Sequence, residues 1–336
     1  MEKRMSDVFL EREEAAFSPY AFLTKNTRGR DYPYTPCSLR TEFQRDRDRI
    51  IHSKSFRRLM HKTQVFLLPE EEHYRTRMTH TLEVTQIARI IARALRLNED
   101  LTEAAALGHD IGHTPFGHAG ESAMQECYSK DFTHYRQSVR VVEHLEKDGR
   151  GLNLTWEVRD GILNHTGKCM ASTLEGVIVK FADRIAYINH DIDDACRAGI
   201  LSLDDIPAEL LHTLGRGHSE RINRMVTSVI DASTDRPTIA FTDEIGPAVD
   251  ELRDFLFRNV YENPIAKSED KKAKALLCEL FAYYVKYPEE MPALYQRNIE
   301  NEGVERCVCD YVASMTDRFA IDKYSELFIP KVWRGR

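Results

Sequence analysis

Apolar residues recur at three- and four-residue intervals along almost the whole chain, and this periodicity does most to restrict its fold. The spacing matches one face of an α-helix and predicts helices over 40–60, 79–96, 100–109, 133–147, 173–198, 208–231, 243–261, 268–286 and 302–320. Strand-like alternation is scarce. Thr63–Leu68, with a partner around His73–Thr76, makes at most a small β-hairpin. Turn-forming residues mark loops at Asp31–Pro36, Gly112–Gly120, Gly149–Asn153, Asp235–Pro237 and Asn263–Pro264. The fold class expected is therefore all-α. No repeat or long linker divides the 336 residues. A basic helical segment, 1–60, should pack on a core of 61–200, with 201–336 as the C-terminal helical part of the same unit.

With 42% hydrophobic and 30% charged residues the chain reads as globular rather than disordered. A net charge of -7 argues against a general nucleic-acid coat protein. Between Arg28 and Lys62, however, ten Lys/Arg face four Asp/Glu, a local excess of +6. The alternating signs of RDRDR fit a salt-bridged helix, and a phosphate-facing surface is the other reading. No run of 18 apolar residues occurs and MEKRMSDVFLEREE lacks the apolar centre of a signal peptide, so no membrane association is expected. The seven cysteines are scattered, with only Cys307 and Cys309 close together. That usage suggests reduced thiols and a cytoplasmic location.

Against this apolar background three polar elements stand out. His80 heads a stripe with Val84, Ile87, Ala88 and Ile91, and Arg77 lies one turn before it. His109-Asp110 closes the apolar run Leu101–Leu107, where a helix end lets adjacent side chains reach one ion. Asp183 lies among Val179, Phe181, Ala182 and Ile185, with Tyr187 and Asp191 on the same face at i+4 and i+8 and Arg184 and His190 flanking it. Polar ligands in apolar surroundings are costly unless something binds them. Two imidazoles and two carboxylates suit a hexacoordinate divalent ion better than a closed structural zinc site. His109 and His113 also have the HxxxH spacing of zinc proteases. Asp110 stands where those enzymes need Glu, and Gly112 and Pro115 would break the helix they require.

The order His80, His109-Asp110, Asp183 resembles the H…HD…D signature of HD-domain phosphohydrolases. SKSFRRLMHKTQVF, RTRMTHTLEV, GHDIGHTPFGHAGE and FTHYRQSVRVVEHL narrow the resemblance, over residues 25–200, to the deoxynucleoside triphosphate triphosphohydrolases. It implies an HD-domain helical bundle that binds Mg2+ or Mn2+, with other transition metals admitted. It also implies release of a deoxynucleoside and intact triphosphate from a dNTP substrate. By the same resemblance His80, His109, Asp110 and Asp183 hold the metal, and His134 passes a proton to the leaving 5′-oxygen. Tyr135 and Arg136 follow His134 where the family often has an acid. His113 and His118 line the phosphate channel, and Arg77 and Arg184 contact phosphate. Gln64 and Asp191 bind the sugar 3′-hydroxyl, and Tyr187 packs on the deoxyribose. Arg258 or Tyr261 is the candidate base contact. Arg40, Arg45, Arg47 and Arg49 are candidates for an effector site, the effector being a nucleotide or single-stranded DNA, and a homo-oligomer is expected. The rival readings are another HD phosphohydrolase, such as a deoxynucleoside monophosphate nucleotidase or a cyclic-nucleotide phosphodiesterase, and a nucleic-acid-binding or nuclease protein.

Overall fold

The computed structural model describes residues 4–64 and 75–331, and among them every regular element is helical. The longer helices are α1 (Met5–Ala16), α2 (Glu42–Ile51), α3 (Arg77–Ala94), α4 (Glu99–Gly108), α5 (Gly117–Cys127), α6 (His134–Arg140) and α7 (Trp156–Asn164). They continue as α8 (Leu174–Arg197), α9 (Ala208–Leu214), α10 (His218–Ser233), α11 (Ile245–Leu256), α12 (Pro264–Lys286), α13 (Val304–Ser314) and α14 (Asp317–Phe328). The fold is all-α, as the periodicity predicts. Of the expected hairpin, the described residues show a single antiparallel bridge between Thr63 and Thr76. Residues 65–74 lie outside the described part.

Some boundaries differ for local reasons. The run 208–231 is two helices because Gly215 turns the chain at φ 101°. The run 302–320 is also two, since Thr316 leaves helical geometry and its hydroxyl caps α14 through Phe319 N. Within the expected loop 112–120 α5 already starts at Gly117, and α1, α5 and α7 have no counterpart among the expected helices. α7 is only nine residues long, so it shows little more than two turns of the period.

The centre of the molecule is a sheaf of α3, α4 and α8. Thr76 caps α3 reciprocally with Thr79, Asn98 Oδ1 caps α4 by accepting from Leu101 N, and Thr173 caps α8 by accepting from Gly176 N. Val84, Ile87, Ala88 and Ile91 of α3 meet Ile178, Ile185 and Ile192 of α8 in one buried cluster. A second cluster joins α5 to α12 and α13, and a third joins α2 and α4 to the chain around α7. The short loop after α4 is pressed onto α6. A Cβ on Gly112 would lie 2.1 Å from Ser138 N, so only glycine fits there.

Buried carboxylates fasten the N-terminal segment. Glu175 Oε1 accepts from Phe22 N and Asn98 N, and Glu157 accepts from Thr27 Oγ1 and Arg28 N. The basic stretch is largely consumed internally. Arg30 pairs with Glu42 and Asp46, Arg40 with Asp48, Arg45 with Glu42 and Arg47 with Glu103. Arg49 donates to the Leu152 and Asn153 carbonyls. The alternating signs thus mark ion pairs within the fold. The C-terminal helices are also stitched to the core: Lys62 Nζ donates to the His113 and Ala313 carbonyls. Asp317 accepts from the backbone N–H groups of Thr63 and Phe116, each at 2.9 Å.

One expectation about cysteine is corrected. Cys127 and Cys278 form a disulfide joining α5 to α12, with Cα atoms 6.0 Å apart, and the other five are free. The partners stand 151 residues apart in the chain, so no local spacing announces them. Among the described residues no helix is long and apolar enough to cross a membrane.

Candidate functional site

The three polar elements converge. α3 supplies His80, the end of α4 supplies His109 and Asp110, and α8 supplies Asp183. His80 Nε2 lies 3.1 Å from Asp183 Oδ1. His109 Nε2 lies 3.9 Å from both Asp183 Oδ1 and Asp110 Oδ2. The ligand atoms of His80, His109 and Asp110 fall within 4.8 Å of one another. His109 Nδ1–H donates to the Ala106 carbonyl at 2.6 Å, which leaves the lone pair on Nε2. That Nε2 is buried and has no hydrogen-bond partner among the described residues. An orphaned imidazole lone pair facing two carboxylates is a donor set that fits a divalent cation.

The electrostatics of Asp183, Asp110 and His109 agree with this, while burial opposes ionisation of His80 and the Asp183 carboxylate outweighs it and raises the imidazole. Burial pushes Asp183 up, but the neighbouring His80 overrides it and holds the carboxyl down at about 2. Burial also opposes ionisation of Asp110, and the Arg77 guanidinium bonded to it keeps it well below the usual carboxylate range. His109 is pushed down by burial and therefore stays neutral, as a ligand must.

A second group of side chains adjoins the first. His134 opens α6, and Glu121 of α5 grips it twice, through the His134 backbone N–H at 3.2 Å and through Nδ1 at 3.1 Å. Burial lowers the His134 pKa, yet the Glu121 carboxylate more than offsets this and raises it overall. The expected acid beside His134 thus comes from the end of GHAGE, thirteen residues earlier, rather than from positions 135–136. His113 stacks on His134 with ring centroids 4.7 Å apart, and burial holds it far below its ordinary range. His165, at the end of α7, brings Nε2 to 3.4 Å from His134 Nε2.

Of these groups His80, Asp110, Asp183, His113, His134 and His165 line a cleft of about 600 Å³. Arg77, His113 and His118 border it near the acids, and His118 is largely exposed. Tyr187 and Asp191 follow Asp183 at successive turns of α8, and the Tyr261 hydroxyl donates to Asp191. Burial pushes Asp191 up to about 7 and Tyr187 up to about 12. Gln64 faces the same space, and its Oε1 is buried without a partner among the described residues.

Two expected contacts are placed elsewhere. Arg184 pairs with Asp250 at 2.9 Å, and Arg258 donates to the Asp254 carbonyl at 3.2 Å; neither lines the cleft. Arg253 and Phe257, two turns and one turn before Tyr261, line it instead, as do Lys271 and Lys274 of α12. The i, i+4, i+8 spacing of Arg253, Phe257 and Tyr261 was available in the sequence. His165 carried no such signal: its helix is not apparent and its neighbours form no motif.

Comparison with known proteins decides the family. Residues 77–188 match the HD domain model, and 239–326 match the phosphohydrolase-associated domain. A deoxyguanosinetriphosphate triphosphohydrolase-like protein of Caldanaerobacter subterraneus subsp. tengcongensis is 54% identical over 98% of this chain and 97% of its own length. The chain belongs to that family. Members from Desulfatibacillum aliphaticivorans (49% identical) and Clostridium tetani (44%) cover 96% and 99% of this chain, and each is covered over 97% of its own length. The HD domain match runs from Arg77 to Ile188, so it contains His80, His109, Asp110 and Asp183.

Proposed function

We propose that this HD-family hydrolase converts deoxynucleoside triphosphates, dGTP among them, to deoxynucleoside and inorganic triphosphate. One observation carries the reading. His80, Asp110 and Asp183, with the buried His109 behind them, an arginine beside them and a tyrosine-walled pocket share a single cleft of about 600 Å³. That order suits a substrate with phosphates at one end and a sugar at the other.

His80, His109, Asp110 and Asp183 would hold Mg2+ or Mn2+, which supplies charge neutralisation at the α-phosphate and activation of water. Arg77 stands beside Asp110, placed to neutralise phosphate oxygens, and Lys271 and Lys274 extend the positive wall. Water adds to the α-phosphorus as its bond to the 5′-oxygen breaks, and that oxygen leaves needing a proton. His134, kept protonated by Glu121, donates it from Nε2. His113 stays neutral against it and fixes the plane of its ring.

At the sugar end the 3′-hydroxyl donates to the Asp191 carboxylate and accepts from the Gln64 amide N–H. The Tyr187 ring fills the space a 2′-hydroxyl would need, which gives a steric preference for deoxyribose. Phe257 offers a face for the base. The test is to incubate metal-loaded protein with each dNTP, singly and in mixtures, and to separate the products. Intact triphosphate plus deoxynucleoside is expected. Orthophosphate released from a deoxynucleoside monophosphate would move the protein to a nucleotidase activity.

A further inference from the structure

We propose that Lys271 of α12 binds the terminal phosphate of the substrate and so makes the enzyme prefer triphosphates to shorter phosphate chains. The proposal rests on the dNTP reading above. Lys271 lines the cleft, and its ammonium has no carboxylate partner among the described residues. The other lysine and arginine side chains on the cleft are already paired. Arg77 is bonded to Asp110, Lys274 lies 2.6 Å from Glu126, and Arg253 lies 3.0 Å from Asp254. Lys272, next to it in sequence, pairs with Glu269 at 2.7 Å. An ammonium left unpaired beside a cleft of otherwise neutralised cations is available to an anionic ligand. Lysine binds phosphate as a mobile point charge, which suits the freely rotating end of a phosphate chain.

Its position follows from how α12 lies on α5. Lys274 pairs with Glu126, Cys278 with Cys127, and the Phe281 ring packs 6.5 Å from Tyr128, so the two helices run side by side in the same direction. Ala119 and Ser122 of α5 line the cleft, as does Lys271, one turn before Lys274. Lys271 is therefore level with the first half of α5. That half stands at the phosphate side of the site: a Cβ on Gly117 would lie 3.4 Å from Arg77 Nη2, and His118 comes next. The disulfide and the Lys274–Glu126 pair hold α12 in place, so the ammonium is presented from a fixed helix rather than a loop. Tyr187, Asp191 and Tyr261 close the sugar end. A phosphate chain that leaves the aspartates away from the sugar passes along the start of α5 toward Lys271. Arg77 meets the inner phosphates whatever the chain length, whereas Lys271 meets only a chain long enough to cross the cleft.

The experiment uses the full chain as wild type, Lys271→Gln and Lys271→Arg. Binding of dGTP, dGDP and dGMP is measured by calorimetry on metal-stripped protein, where no turnover interferes, and kcat/KM for dGTP is measured separately with Mn2+. In Lys271→Gln the preference for dGTP over dGDP should fall roughly 5- to 30-fold, the lower part of the range for a hydrogen bond to a charged group because the residue is exposed, while that for dGDP over dGMP holds. The kcat/KM for dGTP should fall by a similar factor, mainly through KM, and Lys271→Arg should restore both. An unchanged preference in Lys271→Gln, or an equal loss for all three nucleotides, would overturn the proposal; release of intact triphosphate by the wild type would then leave the triphosphohydrolase reading standing. A lost preference without triphosphate release would instead keep Lys271 as the contact to the chain end and remove that reaction. Absence of nucleotide binding to the wild type would overturn both.

Discussion

Replacing Glu121 by Gln tests the proton-donor assignment with little change of shape. The carboxylate accepts two hydrogen bonds from His134, at 3.2 and 3.1 Å, in a largely buried setting. A glutamine keeps one acceptor oxygen and turns the other into an amide nitrogen that faces an N–H group. One charge-assisted hydrogen bond is therefore lost, worth about 1.5–3 kcal/mol. If that interaction holds the protonated imidazole in the transition state, kcat should fall roughly 10- to 150-fold. Complete removal, His134→Ala, should lower the rate by roughly 10²–10⁴-fold.

The pH dependence gives an independent sign. Glu121 raises the His134 pKa, so the wild type keeps its acid protonated further into the alkaline range. Without the carboxylate the imidazole deprotonates at lower pH, and the alkaline limb of the kcat profile should move toward acid. Steady-state rates from pH 5 to 10 at saturating Mn2+ and dNTP would measure both effects. An unchanged kcat together with an unmoved alkaline limb would refute the pairing of Glu121 with a catalytic His134.

Three other outcomes are expected. Asp183→Ala should abolish turnover and weaken metal binding while circular dichroism stays helical, since the ion loses an anionic ligand; wild-type activity would remove the metal assignment. Tyr187→Ala should let ribonucleoside triphosphates in, read as a fall in the dNTP-to-NTP ratio of kcat/KM, and an unchanged ratio would dismiss the steric gate. Ile185→Ala, at a fully buried position between α8 and its neighbours, should cost about 2–5 kcal/mol in a denaturant titration, and a loss below about 1 kcal/mol would mean the site closes over the cavity.

The convergence of His80, His109, Asp110 and Asp183 is legible in the sequence because these residues break an otherwise apolar pattern. His80 at the head of the α3 stripe and Asp183 inside α8 are polar residues at positions the helical period assigns to the core. Tyr187 and Asp191 followed from the same period. The rest of the cluster depends on contacts that the helical period does not encode. Glu121 reaches His134 across the turn between α5 and α6, and His165 arrives at the end of a helix of only nine residues. Arg184 shows the opposite failure. It adjoins Asp183 in sequence, but successive residues of a helix point about 100° apart, and that turn carries it to Asp250. For the basic stretch the sequence leaves a salt-bridged helix and a phosphate-facing surface both open, and ion pairs within it and to Glu103 of α4 favour the first.

The stitching by Lys62 and Asp317 bears on how far the chain can be cut. Excision of everything after residue 300 would strand an ammonium group, 3% exposed, with one of its two carbonyl acceptors gone. It would also orphan the amides of Thr63 and Phe116, which flank Gln64 and the start of α5. A minimal catalytic fragment ending near residue 200 should therefore be an unstable one, and grafting a foreign tail onto it would succeed only if that tail restored both anchors.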